Sequence, residues 1–336
     1  MEKTDIIIRK GIIHIIDPSL GTPVLSESLL DLDGEINDFI REHIFKVVSG
    51  DDLKTCRMDE ENSEVYALLK DFKEEVMIPV SKQLATHLYG LLAANVMIPP
   101  ADLLVVTFQM YSKLYLALLK LNYKESFVHM TNEKEEGNTN SIIKYYSSLP
   151  SNKSRLSEAA IIDLSDCSIS LIEKKYEING EKQFYLSEQF LCCHAQMSQK
   201  AKLSIVKRAV EQINQKHYES DIDKKMELKG VIQKEIAEEG MLDVAVLGEK
   251  LYGDTPDIKE EFTEKLEKYH VEKEQIKPQN QTTVKNFEKQ YLKTDTGIEI
   301  NIPMEQYHNA DKVEFITNPD GTISLLIKDI GHITSK

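Results

Sequence analysis

Apolar residues near the N-terminus change from a strand-like pattern to a helical one. Residues 5–17 are rich in Ile, and residues 24–31 resume an apolar run after a break with Pro and Gly, which predicts a β-hairpin. Behind the turn at residues 31–34, apolar side chains recur at helical spacing over residues 35–48. The N-terminal region is therefore expected to combine a sheet with a helix.

Residues 63–186 predict a broken helix followed by several strands. Residues 63–95 carry a helical stripe, and Pro79 is expected to kink or split that helix. Residues 101–122 favour a hairpin over a helix, and residues 133–140 read as a polar loop. Further strands are predicted at residues 127–130, within 157–172 and at 183–186, with a turn at Asn179–Gly180.

The last part of the chain is helical first and then strand-like. Helical patterns cover residues 199–218, 223–239, 242–251 and 258–269. Alternating Ile residues then predict a strand at 298–302, and a turn at 318–321 joins two more strands. The sequence thus predicts an α+β protein with three parts: a mixed sheet-and-helix domain (1–190), a helical middle (191–274) and a small C-terminal helix-and-hairpin module (275–336).

The bulk composition is that of a water-soluble, acidic chain. Its 336 residues carry a formal net charge of −15, and its four cysteines do not form a disulfide framework, which fits a reducing compartment. No apolar run approaches the ~20 residues that a membrane span needs, and the first residues do not form a signal peptide. We therefore expect a cytoplasmic protein without a membrane partner.

One segment departs from this acidic balance. Residues 199–218, here named the basic segment, hold five basic residues against a single acid, Glu211. The five are Lys200, Lys202, Lys207, Arg208 and Lys216. On a helix they surround an apolar arc of Leu203, Val206, Val210 and Ile213, so an ordinary solvated helix face is one explanation. The scarcity of acids in an acid-rich chain favours the other, a contact with a polyanion.

A second and weaker basic set follows further along the chain. Lys285, Lys289 and Lys293 are spaced four residues apart, which places them on one face if the segment is a helix. We predict that both basic sets contact nucleic-acid phosphates.

Catalytic and cofactor motifs are missing from the sequence. There is no glycine-rich phosphate loop and no nucleophile elbow, and the turn at 31–34 lacks the carboxylates of a calcium loop. The adjacent Cys192 and Cys193 with His194 do not have zinc-ligand spacing, and Glu227 with Lys229 gives only a weak nuclease-like pattern. We predict no metal, no cofactor and no enzymatic activity.

Three segments of the chain carry a resemblance to a known family. They read IIHIID…PVLSESLL, then EAAIIDLSD…FYLSEQFLCCHAQMSQKAKLSIVKRAV, and finally VKNFEKQY…GIEINIPMEQYHNADKVEFITNPDGTISLLIK. In that order they resemble the N-terminal hairpin, the middle block, and the closing helix, strand and hairpin of bacterial nucleoid-associated proteins of the NdpA/YejK type. The resemblance implies a nucleoid-located, DNA-binding protein without enzymatic activity.

The expected function combines the basic segment with this resemblance. We predict a nucleoid-associated protein that binds DNA with low sequence specificity, mainly through phosphates, as a homo-oligomer and within a larger DNA-directed assembly. Protein partners of that assembly are expected as well. The alternative is an acidic adaptor, or a subunit of a multi-protein complex such as an anti-phage system, that does not itself bind DNA. An undiscovered nuclease ranks last.

Overall fold

The structure is a computed structural model that describes residues 1–134, 137–218, 230–232, 234–236, 238–278, 289–307, 309 and 311–334. Helices and antiparallel sheets share the chain, which confirms the predicted α+β class. Two compact units form, Met1–Met197 and Ser198–Lys336. The three-part division at residues 190 and 274 stays a prediction.

The first unit is built on one antiparallel sheet of six strands. Its helices are α1 (Gly34–Val48), α2 (Glu64–Leu69) and α3 (Met77–Ala94). The strands of the first unit, six of which form this sheet, are β1 (Ile7–Ile16), β2 (Lys54–Arg57), β3 (Ala101–Met110), β4 (Lys113–Asn122), β5 (Lys124–Lys134), β6 (Gly137–Ser148), β7 (Ala159–Asp163), β8 (Ser168–Ile172), β9 (Tyr176–Ile178) and β10 (Glu181–Gln183). The strand order is β1-β3-β4-β7-β8-β2, and every neighbouring pair is antiparallel.

Helices cover both faces of this sheet. On β3, Leu103 and Val105 join the core beneath α2 and α3, while Leu104 and Val106 join the core beneath α1. Successive side chains of a strand point to opposite faces, so a strand that is covered on both sides reads as a continuous apolar run. The predicted hairpin at residues 101–122 is confirmed and forms the centre of the sheet.

Helix α1 begins where the aspartate-rich turn predicts. The Asp33 carboxylate accepts a hydrogen bond from the Ile36 backbone N–H at 2.8 Å, which satisfies one of the unpaired donors of the first turn. The turn at residues 31–34 is therefore a helix cap. The predicted break in the helix at 63–95 is confirmed, but it falls at residues 70–76, and Pro79 lies in the first turn of α3, where proline is tolerated.

Three further local predictions in the first unit are wrong. The strand predicted at residues 183–186 is one of them, because β10 ends at Gln183 and Leu186–Phe190 form a helical turn. The N-terminal hairpin shrinks to a single bridge between Ile15 and Val24, because β1 pairs along its length with β3. The polar loop predicted at 133–140 is mostly strand, since β5 and β6 form a long ribbon there; residues 135 and 136 lie outside the described residues. In this ribbon, exposed polar residues lie beside the exposed Phe127 and Ile142, so the sequence shows no regular alternation of apolar and polar residues.

The second unit begins with helices around their own core. These are α4 (Gln199–His217), α5 (Val244–Tyr252) and α6 (Pro256–Glu267), with the short strand pair β11 (Leu242–Asp243) and β12 (Gln275–Ile276). The described part of residues 230–239 is helical as predicted, whereas the start of that helix, with Glu227 and Lys229, lies outside the described residues. Leu203, Val206 and Ile213 of α4 contribute to this core.

Small hairpins complete the second unit. They comprise β13 (Lys289–Lys293), β14 (Glu299–Pro303), the short helix α7 (Met304–Tyr307), β15 (Val313–Thr317) and β16 (Ile323–Ile327). The predicted strand at 298–302 and the hairpin around residues 318–321 are confirmed. In the described residues, no helix is long and apolar enough to cross a membrane.

Candidate nucleic-acid interface

The basic segment folds as helix α4, and its local sequence explains where the helix begins. The Ser198 hydroxyl accepts a hydrogen bond from the Ala201 backbone N–H at 3.2 Å, so Ser198 is the N-cap. Leu203, Val206 and Val210 are buried on one side of the helix. Packing of that apolar side orients the opposite side towards solvent.

Two of the five cations on α4 are held by carboxylates of the second unit. Lys202 is buried, and its Nζ lies 2.9 Å from Oε1 of Glu274. Lys216 Nζ lies 2.8 Å from Oε2 of Glu261, and His217 Nε2 lies at the same distance from that oxygen. Hydrogen bonds from Lys216 and His217 lower the pKa of Glu261 to about 2. Both cations therefore already have anionic partners within the protein.

The other three cations share the solvent-exposed side of α4. At 100° per residue, Lys200, Lys207 and Arg208 fall within an arc of about 100°. All three side chains are exposed, and we name them the α4 cation face. In the part of the chain that the structure describes, neither Lys200 nor Arg208 has an ion pair. Crowding by protein atoms lowers the pKa of the Lys207 amine, and the nearby Glu211 carboxylate opposes that shift.

The second basic set has a different backbone from the predicted one. Lys289 and Lys293 lie on strand β13, so the helical face is wrong for these two lysines, and Lys285 lies outside the described residues. The two lysines still share a face, because their separation of four residues is a multiple of the strand period of two. Tyr291 lies between them on that face and is 64% exposed.

Sequence reasoning overlooked Tyr291. The alternation Lys289, Tyr291, Lys293 was visible, but a helical interpretation separates the tyrosine from the lysines. The opposite side of the hairpin is apolar: Leu292, Ile300 and Ile302 pack against the cluster that contains Tyr307 and Val313. The β13 face, defined as Lys289, Tyr291 and Lys293, is thus held towards solvent by packing of the other side.

The cysteines predicted as packed thiols line a cavity in the first unit. The cavity has a volume of about 630 Å³ and lies between β2, β8 and residues 192–196. Burial raises the pKa of Cys192, and a hydrogen bond with Cys56 together with burial raises the pKa of Cys193. A thiol whose pKa is raised stays protonated at neutral pH and is a poor nucleophile. Among the described residues, no group of three or more His, Cys, Asp or Glu side chains is placed to hold a metal ion.

The α4 cation face can attract and contact anionic oxygens, but it contains no nucleophile, base or metal ligand set. Exposed Lys and Arg side chains on a helix are typical of phosphate contacts, which carry no sequence information.

Comparison with known proteins identifies a family. A family model described as nucleoid-associated protein YejK matches residues 12–333. That range includes every residue of both basic sets. No curated protein matches the chain.

Proposed function

The chain belongs to the nucleoid-associated protein YejK family, and we propose that it binds DNA in the nucleoid, through phosphates and without catalysing a reaction. Membership of the family supports a nucleoid-associated role. The DNA contact, the residues that make it and the cytoplasmic location that follows from it are our proposal.

The observation that carries the proposal is the α4 cation face. Lys200, Lys207 and Arg208 are exposed together on one helix, in a chain whose net charge is −15. An exposed cationic stripe on an otherwise repulsive protein favours one orientation towards a polyanion. DNA therefore contacts the protein at the exposed side of helix α4.

We rank the eight predicted contact residues by the carboxylates that lie beside them in the structure. The α4 cation face comes first, and Lys289 with Lys293 come second, because Lys293 also lies 2.9 Å from Glu299. Lys202 and Lys216 come last, since a phosphate would have to compete with Glu274 and Glu261. Lys285 stays in the proposal on its charge alone.

Contacts of this kind predict low sequence specificity. Phosphates are identical along the duplex, so a face made only of Lys and Arg orients the protein without reading bases. The acidic remainder of the chain is repelled by DNA, which limits affinity unless several copies bind together. We therefore propose that the protein acts as a homo-oligomer and with protein partners in a larger DNA-directed assembly.

A salt titration of duplex binding tests the proposal. Three phosphate contacts per chain predict that log affinity falls with log salt with a slope of about −2.7, and about twice that for a dimer on one duplex. Two unrelated duplex sequences are expected to give affinities within about threefold of each other. Absence of binding at low salt, or a slope near zero, would contradict the proposal and favour the acidic adaptor.

A further inference from the structure

The β13 face places an exposed aromatic ring between two cations. Tyr291 is 64% exposed, and Lys289 and Lys293 are exposed on the same side of the strand. Each lysine lies two residues from the tyrosine, a separation of about 7 Å along a strand. From this arrangement we propose that the β13 face binds single-stranded nucleic acid, with a base stacked on Tyr291. The inference rests on the proposed function, because it assigns a second kind of DNA contact to the same protein.

Tyr291 lies across from exposed residues of strand β14. Its cross-strand partner is Asn301, and the other residues of β14 on that side are Glu299 and Pro303. All three are exposed. Ile302, by contrast, is buried against the small core on the opposite side. The hairpin therefore holds one apolar side inward and presents a polar side with one aromatic ring outward.

The ring and the cations together select a single strand. In a duplex each base is paired and is stacked on both faces, whereas a single strand can offer one base face to an aromatic side chain. A nucleotide within a strand is flanked by one phosphate on each side. A base on Tyr291 therefore directs one phosphate towards Lys289 and the next towards Lys293.

The ion pair of Lys293 does not block this contact. Lys293 Nζ lies 2.9 Å from Glu299 Oε1, but the two side chains are 68% and 74% exposed. A pair so open to water contributes little, so a phosphate can replace the carboxylate as the partner of the lysine. Glu299 also disfavours the approach of further phosphates, which limits the site to a short stretch of strand.

Fluorescence anisotropy with two labelled probes tests the inference on the full chain. The probes are a 20-nucleotide oligothymidylate and a 20-base-pair duplex at the same salt concentration. Tyr291→Thr removes the ring and keeps a residue that favours strands. It is expected to weaken oligothymidylate binding about 5- to 100-fold, the range for loss of one stacking aromatic, and to change duplex binding less than about twofold.

Two further variants serve as controls. Tyr291→Phe keeps the ring and is expected to stay within about twofold of wild type on both probes. Tyr269→Ala removes another exposed tyrosine of the second unit, outside the β13 face, and is expected to change neither affinity. Equal affinities of wild type and Tyr291→Thr for oligothymidylate overturn the inference, and so does an equal loss on both probes.

A charge variant keeps the inference testable if Tyr291→Thr does not fold. Replacing Lys289 and Lys293 with Gln is expected to make the oligothymidylate salt slope shallower by about 1.4, and an unchanged slope overturns the inference. If duplex binding depends on salt but the β13 variants leave oligothymidylate binding unchanged, only this inference fails. If neither probe binds to wild type, the proposed function fails with it.

Discussion

Lys202 Nζ lies 2.9 Å from Glu274 Oε1, and this pair joins helix α4 to the residue that precedes strand β12. The lysine side chain is 11% exposed and the glutamate side chain 38%. The most buried cation of the basic segment is therefore neutralised by the protein itself. Its position gives it a part in holding the second unit together, whereas Lys200 and Arg208 of the same helix have no ion pair among the described residues.

Replacing Lys202 separates these two roles. Lys202→Met leaves Glu274 without its partner and is expected to lower the free energy of unfolding by about 1 kcal/mol, because the pair is only partly shielded from water. The slope of DNA affinity against salt is expected to change by less than about 0.5. Urea unfolding and a salt titration measure the two effects. A slope that falls by a full unit would place Lys202 among the phosphate contacts.

The buried pair of Lys120 and Glu158 predicts a larger loss of stability. Lys120 Nζ lies 3.0 Å from Glu158 Oε2, and Tyr176 donates to the same oxygen at 2.8 Å. Both charged residues are almost fully buried. Lys120→Met leaves a buried carboxylate unpaired and is expected to cost about 3–5 kcal/mol of unfolding free energy.

Adding a second substitution tests the origin of that cost. Lys120→Met combined with Glu158→Gln removes both charges and is expected to recover part of the loss in urea unfolding. A double variant that is less stable than Lys120→Met alone would show that the unpaired charge of Glu158 does not cause the loss of stability.

Two buried histidines predict how stability depends on pH. Burial, together with nearby lysines, lowers the pKa of His14 and of His43 to about 4. The unfolded chain has the ordinary pKa near 6.5, so it binds more protons than the folded chain between these values. The stabilisation is complete above about pH 6.5 and is lost as pH falls towards 4, at up to about 1.4 kcal/mol per pH unit for each histidine.

A single substitution isolates the part due to His43. His43 is buried, so His43→Leu replaces the titrating group with an apolar side chain that suits its surroundings. Urea unfolding between pH 5 and 6.5 is expected to show a slope reduced by about 1 kcal/mol per pH unit. Identical slopes for wild type and variant would contradict the lowered pKa of His43.

The sequence was sufficient where one periodicity covers a whole element. Helices α1 and α4 and the hairpin at residues 101–122 were predicted because their apolar patterns run uninterrupted for ten or more residues. The strand predicted at residues 127–130 lies within β5, but the rest of the β5–β6 ribbon was missed because polar and apolar residues mix along it and no alternation marks it. The predicted partner of β1 was also wrong, because the choice between the segment at Val24 and strand β3 depends on contacts between residues that are distant in sequence.

The candidate site was only partly visible in the sequence. Charge counting found the basic segment, but only the fold places Glu274 beside Lys202 and Glu261 beside Lys216. Those pairs decide which cations remain for DNA. At β13, four-residue spacing is compatible with one face of either a helix or a strand, and the backbone had to be known before Tyr291 could be placed with Lys289 and Lys293.

The central claim is that DNA binds to the α4 cation face, and one double variant tests this claim directly. Lys200→Gln with Arg208→Gln removes two exposed cations while helix propensity is kept. A matched control, Lys250→Gln with Lys259→Gln, removes two cations that pair with Glu235 and Glu249. The quantity measured is the salt slope of duplex affinity, by fluorescence anisotropy, for wild type and both variants.

The two variants change the net charge equally, so long-range repulsion between the acidic chain and DNA is matched. The account predicts a slope about 2 units shallower for the Lys200 and Arg208 variant and an unchanged slope for the control. If both variants give the wild-type slope, or if both make the slope shallower by the same amount, the α4 cation face is not the surface that DNA contacts.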